Sequence, residues 1–265
     1  MKEGNPRSEP VMRTRDIGPR VPIDGHPLTP VPDPRAEYYR CHGLLKMYCT
    51  DGVYRGSGTL IAAGDGVGIL TCAHNLYDGT VAGPAERIEF FPARHEAEQP
   101  YGMITAESAM LRIPAGYLAT PQPGNRHDYA VVRLHRDQIP EAIGRLVTMQ
   151  WLAGELPATV QVTGYPDVSR VPMPDPVMYY SRGATLNDPT ATGLLRYNAS
   201  TRPGSSGSAV CRVHVGQGGT EVPDLAHVNA VHVDGNDVVD PDDRYNWGVY
   251  LTPEIIRWVT EQLTS

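Results

Sequence analysis

Lysine is nearly missing from this 265-residue chain: Lys2 and Lys46 are the only two, and arginine supplies the rest of the basic side chains. Acidic residues outnumber basic ones, 30 to 23, giving a formal net charge of −7. Such a balance disfavours nonspecific attraction to nucleic acid or to an anionic membrane surface, so neither is expected as a partner. Long apolar runs are absent too, which excludes a membrane-spanning helix. The opening residues Met1-Lys2-Glu3-Gly4-Asn5-Pro6 lack the apolar core of a secretory signal. A cytoplasmic location is expected if the chain is complete, and a secreted one if an export signal has been removed. Cysteine is scarce: Cys41, Cys49, Cys72 and Cys211 are scattered, with no close CxxC pair. That spacing gives no reason to expect a metal site, and scattered thiols in a chain without a signal peptide are expected to stay reduced.

Glycine and proline, by contrast, are abundant, at 27 and 25 residues in a chain that is 40 % hydrophobic. This composition favours many short strands and turns over long helices, in one large domain or two small ones. Residues 1–40 carry closely spaced prolines (Pro22, Pro27, Pro30, Pro32, Pro34) and read as an extended arm. From Cys41 onward, apolar segments over 42–49, 54–62, 67–72, 87–91, 101–113 and 128–134 give about six strands, punctuated by turns such as Asp51-Gly52 and Gly64-Asp65-Gly66. A break near 140–144 suits a linker. The pattern resumes over 147–152, 158–165, 177–186, 193–199, 208–213, 226–233 and 247–251. In the tail, Thr252 can cap a helix, Pro253 suits its first turn, and Ile255, Ile256, Trp258, Val259 and Leu263 share one stripe. The residues therefore predict an all-β chain: an arm (1–40), two halves of similar size (41–140 and 141–252) and a C-terminal helix (253–265).

Three stretches carry chemistry. In Thr201-Arg202-Pro203-Gly204-Ser205-Ser206-Gly207-Ser208-Ala209-Val210, a serine among glycines can sit on a tight turn, its hydroxyl exposed beside converging backbone N–H groups. A serine hydroxyl is a weak nucleophile and needs a base, and the base needs an orienting partner. Leu70-Thr71-Cys72-Ala73-His74-Asn75 and His127-Asp128-Tyr129-Ala130 offer both. Taken singly, His74 reads as a structural histidine and Asp128 as a strand-end cap; His127 reads as a surface or packing residue.

With Gly56-Ser57-Gly58-Thr59-Leu60-Ile61, 70–76, 127–134 and 203–210 all in order, the chain resembles the chymotrypsin-like serine proteases, and most of all their glutamyl endopeptidase (V8-like) branch. The resemblance spans roughly residues 41–263. It implies two six-stranded antiparallel β-barrels, an active site in the cleft between them, no cofactor, and a protein or peptide as substrate. The family's Gly-x-Ser-Gly placement picks out Ser206 over Ser205 and Ser208. Ser206 would be the nucleophile, His74 its base and Asp128 the residue holding the imidazole, with the N–H groups of Gly204 and Ser206 as the oxyanion hole.

The same resemblance implies a pocket lined by residues just before the nucleophile. Ser200 stands where a pocket for Arg or Lys would have a carboxylate. Thr201 and His232 match a threonine and a histidine that contact an acidic substrate side chain in the V8-like branch, and both can donate to a carboxylate. His232 could equally be a core histidine; His214 and His227 are weaker candidates for the pocket. Cleavage after Glu or Asp is expected. The alternatives are the same machinery with a preference for small or apolar residues, or an idle protease fold used for binding. The acidic loop 236–243 reads as a solvated turn. Arg20-Val21 offers a cut site at which an activating protease would free a new amino terminus; otherwise the arm wraps the barrels or recruits a regulatory partner.

Overall fold

A computed structural model describes residues 12–14, 22–79, 83–153, 155–168, 176–236 and 244–265. Arg20, Val21 and 237–243 of the acidic loop lie outside the described residues. The expected activation cut is therefore not placed.

Two rings of antiparallel strands dominate the architecture. In the first, His42–Cys49, Gly52–Ala63, Gly66–Thr71 and Ala130–Leu134 pair in that order, while Arg87–Pro92 pairs with the free side of His42–Cys49. One segment closes the ring by serving two neighbours. Its first part, Ile104–Glu107, pairs with Arg87–Pro92, and its last part, Leu111–Arg112, pairs with Ala130–Leu134. A single 3-10 turn, Ser108–Met110, joins the parts. Closure of this kind leaves no long strand edge exposed. Leu45, Met47, Leu60, Ile69, Phe90 and Val132 are buried in the core that this ring encloses and shares with its neighbour. Burial of each such side chain stabilises the fold by about 1.5–3 kcal/mol.

The second ring runs Tyr179–Ala184, Thr159–Gly164, Ala209–Val215, Ala230–Asn236, Tyr245–Tyr250 and Leu194–Tyr197. It closes at a Thr185–Tyr197 bridge flanked by the Leu186 N–H to Arg196 carbonyl bond. Its interior holds Val160, Val162, Leu195, Val210 and Tyr250.

The segment expected as a strand over 147–152 belongs to neither ring. It contributes only Thr148–Met149, paired in parallel with His227–Val228. The cause is its position as the crossing between barrels: the Ala62 N–H donates to the Val147 carbonyl, and the Thr148 N–H to that of Ala226. Its apolar residues reflect burial at the junction, not a place in a barrel. The expected linker at 140–144 holds a 3-10 turn, Glu141–Ile143, whose Ile143 is buried.

Parts of the arm are strapped to the barrels. Met12–Thr14 pairs in parallel with Val53–Arg55. Thr29–Pro30 extends the second sheet beside Tyr179–Tyr180, and Val31 is buried. At the other end of the chain, Thr252 caps the helix Pro253–Thr264 by accepting from the Ile255 N–H. The helix buries Ile255, Val259 and Leu263, with Leu263 packed against Gly66 and Gly68 of the first barrel. Although it follows the second barrel in sequence, it seals the first.

Candidate active site

Strand pairing brings the first two candidate residues together. Thr71 lies opposite Ala130 in antiparallel register, so the chain just past Thr71 meets the chain just before Ala130. His74 sits in the one-turn helix Ala73–Leu76 that follows Gly66–Thr71, and Asp128 two residues ahead of Ala130. Asp128 Oδ1 accepts the His74 backbone N–H at 2.9 Å, and its Oδ2 lies 2.6 Å from His74 Nδ1. The Gly124 N–H donates to the same Oδ2 at 2.7 Å. A fully buried carboxylate needs such donors to offset its lost hydration.

Ser206 arrives from the second barrel on the turn before Ala209–Val215, with Oγ 2.7 Å from His74 Nε2. Gly204 and Gly207 make that turn possible. Gly204 has φ +92°, and a Cβ there would meet the Tyr165 carbonyl at 2.6 Å; Gly207, at φ +83°, is wedged against the Ser57 carbonyl and Thr71 Oγ1.

The first barrel holds this turn from beneath. The Ser57 N–H and Asn75 Nδ2 both donate to the Ser206 carbonyl, at 2.8 and 2.9 Å. Ser57 Oγ donates to the Gly204 carbonyl at 2.9 Å and accepts from the Tyr165 N–H at 2.8 Å. Thr71 Oγ1 donates to the Ser57 carbonyl. Ser57 and Asn75 lie within the stretches that carry the family resemblance, but nothing in the sequence shows that they reach across the cleft.

A thiol stands beside the base, Cys72 Sγ lying 3.3 Å from His74 Nε2. Cys72, His74 and Asp128 thus offer ligand atoms within 4.8 Å of one another. The carboxylate faces one edge of the imidazole and the thiol the other, so a single ion would not be chelated by all three. The four cysteines are all free thiols. Burial pushes the Cys41 thiol up to about 11 and the Cys211 thiol further still.

Thr201 and His232 are also buried next to the Ser206 turn, and the His232 carbonyl accepts the Gly207 N–H. The Thr201 hydroxyl is directed away from the role expected for it. Thr201 Oγ1 donates to Asn246 Oδ1 at 2.8 Å, so its proton is directed within the barrel. Tyr197 Oη lies 2.7 Å from His232 Nδ1. With the phenol donating there, the ring carries its proton on Nε2. Asn246 and Tyr197 had no signal in the sequence. Ser200 bonds the arm, its Oγ accepting the Ile23 N–H at 2.6 Å and donating to the Ile23 carbonyl at 3.1 Å. His214 and His227 are not at the pocket: both approach Asp224, at 3.7 and 3.0 Å, alongside Arg212. His127 accepts from Arg126 Nε, and burial lowers its pKa.

Residues 56–217 match the trypsin-like peptidase domain family. The chain belongs to that family. As a trypsin-like serine protease it shares its two-barrel fold with solved structures of low sequence identity. A Glu endopeptidase in complex with MPD superposes with a TM-score of 0.72 at 19 % identity, over 92 % of this chain and 100 % of that one. The thermostable serine protease AL20, from an extremophilic microorganism, gives 0.65 at 19 %, over 85 % and 98 %. Protease Anisep from Arthrobacter nicotinovorans gives 0.65 at 21 %, over 91 % and 99 %. No curated protein sequence matches the chain.

Proposed function

We propose that this trypsin-like protease is an endopeptidase acting through Ser206, His74 and Asp128, and that it cuts after Glu or Asp. The observation that carries the reading is one continuous chain of hydrogen-bond distances, 2.6 Å from Asp128 to His74 and 2.7 Å from His74 to Ser206. The carboxylate keeps a proton on Nδ1, so the Nε2 lone pair faces the serine. Ser206 Oγ attacks the scissile carbonyl carbon as its proton passes to Nε2. The negative charge moves onto the substrate oxygen, between the N–H groups of Gly204 and Ser206. The imidazolium then protonates the leaving amine, and the acyl-enzyme forms. Water, deprotonated by the same nitrogen, releases the acid product.

The preference for an acidic side chain rests on His232 offering Nε2–H, with Thr201 beside it. The commitment of the Thr201 proton to Asn246 favours the second reading, a pocket for small or apolar side chains. An alkyl fluorophosphonate tests the chemistry: labelling of the wild type, abolished by Ser206→Ala, is expected, and an unlabelled wild type would point to an idle binding module. Digestion of an unbiased peptide mixture tests the preference, with cuts clustered after Glu and Asp as the expected pattern.

A further inference from the structure

Strand Gly52–Ala63 places Arg55 and Ser57 two residues apart, hence on one face of the sheet. Both reach the second barrel within one short stretch. Ser57 Oγ accepts the Tyr165 N–H, and Arg55 Nη2 lies 2.6 Å from Asp167 Oδ2. The Arg55 side chain is only 7 % exposed and that of Asp167 35 % exposed, so the guanidinium is withdrawn from solvent while the carboxylate is partly open to it. The Asp167 backbone N–H then donates to the Pro203 carbonyl at 2.6 Å.

That last bond has a geometric consequence. In a planar trans peptide the carbonyl and the following N–H point in opposite directions. Fixing the Pro203 carbonyl towards Asp167 turns the Gly204 N–H to the other side. A flipped peptide would present a carbonyl oxygen where an oxyanion donor is needed. Gly204, at φ +92°, has no Cβ to resist such a flip, so the hold must come from its surroundings. On the far side of the residue, Ser57 already fixes the Gly204 carbonyl.

We infer that Arg55 is a positioning residue for hydrolysis: by gripping Asp167 across the barrel junction, it orients the Pro203–Gly204 peptide and aims the Gly204 N–H at the substrate oxygen. The inference rests on the reading of Ser206 as nucleophile. Neither side chain need touch substrate. A charge-assisted pair suits the task because its geometry is stiff, and Arg offers a planar fork that Lys lacks.

The full-length chain and an alkyl fluorophosphonate provide the test, since phosphonylation of Ser206 draws on the same oxyanion donors. Arg55→Gln and Asp167→Asn are each expected to slow labelling by about ten- to a hundredfold in folded protein, part of the cost of losing a donor outright. Arg55→Lys should recover some of the loss. On any peptide the wild type cuts, the loss should fall on kcat and leave KM nearly unchanged, which a merely structural strut would not produce. Asp167→Asn, almost isosteric and on a partly exposed loop, keeps the test decisive should Arg55→Gln fail to fold. A labelling rate within about twofold of wild type for Asp167→Asn overturns the inference, as does a loss confined to KM. A wild type that is not labelled at all overturns instead the serine-protease chemistry on which the inference stands.

Discussion

The proposed hydrolytic centre and the proposed pocket are both buried and both built around a histidine, yet the two imidazoles are partnered differently. His74 has a carboxylate on Nδ1, from its own barrel, and a serine hydroxyl on Nε2, from the other. His232 has a phenol on Nδ1, that of Tyr197 from its own barrel. A carboxylate stabilises the imidazolium that forms when a proton arrives; a neutral phenol fixes a tautomer without inviting charge. One ring is arranged to gain and lose a proton, the other to present one. The partner, not the ring, decides.

The comparison breaks most visibly at the centre. Ser206→Ala or His74→Ala should lower kcat by about four to six orders of magnitude; the melting temperature should stay nearly unchanged in Ser206→Ala and fall in His74→Ala, which takes a partner from the buried Asp128, as steady-state rates and thermal unfolding would show. His232→Gln should leave kcat close to wild type on a substrate with an apolar side chain at the cleaved position. An equal collapse there would mean that the two rings do not have separate tasks. Next in size is Ser57→Ala, which leaves the Gly204 carbonyl and the Tyr165 N–H without their shared partner. It should reduce kcat by about ten- to a hundredfold and stability by about 1–3 kcal/mol, measured by stopped assays and urea unfolding.

The pocket gives smaller effects. Thr201→Val should raise the Michaelis constant for Glu substrates by about tenfold at most, and more than for apolar ones, because it removes a hydroxyl from the proposed pocket together with its bond to Asn246 Oδ1. Equal changes for both substrates would show that Thr201 merely supports the barrel. A third buried imidazole, His42, is expected to affect stability and to leave turnover unchanged. Burial pushes His42 down to about 4, and its Nδ1 meets Thr59 Oγ1 at 2.8 Å. The unfolded chain, with a histidine pKa of about 6.5, binds this proton more readily than the folded one. Stability is therefore fully present above about pH 6.5 and falls as pH drops towards 4, by up to roughly 3 kcal/mol. Urea midpoints across that range should slope less steeply in His42→Gln than in wild type.

How much of this was legible beforehand follows from where the information lies. The Ser206 turn needs glycines at fixed offsets, so its geometry leaves a local trace in sequence. His74 and Asp128 stand near strand ends, where alternating apolar residues mark the elements around them. The C-terminal helix was visible for the same reason, in its cap and stripe. Ser57, Asn75, Gly124, Tyr197 and Asn246 left no such trace. Gly124 acts on Asp128 only four residues on, but the others depend on distant partners: 147 positions separate Ser57 from Gly204, and 35 separate Tyr197 from His232. The stretch 147–152 misled because burial at a crossing and burial in a barrel produce the same apolar pattern.

The grip of the first barrel on the nucleophile turn also sets when the enzyme can first act. Ser206 follows His74 and Asp128 by many residues in the chain, and its carbonyl is held by Ser57 and Asn75 of the barrel made before its own. A nascent chain thus carries a base and its carboxylate through most of synthesis with nothing to activate. On the proposed mechanism, hydrolysis therefore requires the later barrel to be docked on the earlier one, because the serine and its base reach the cleft from different barrels.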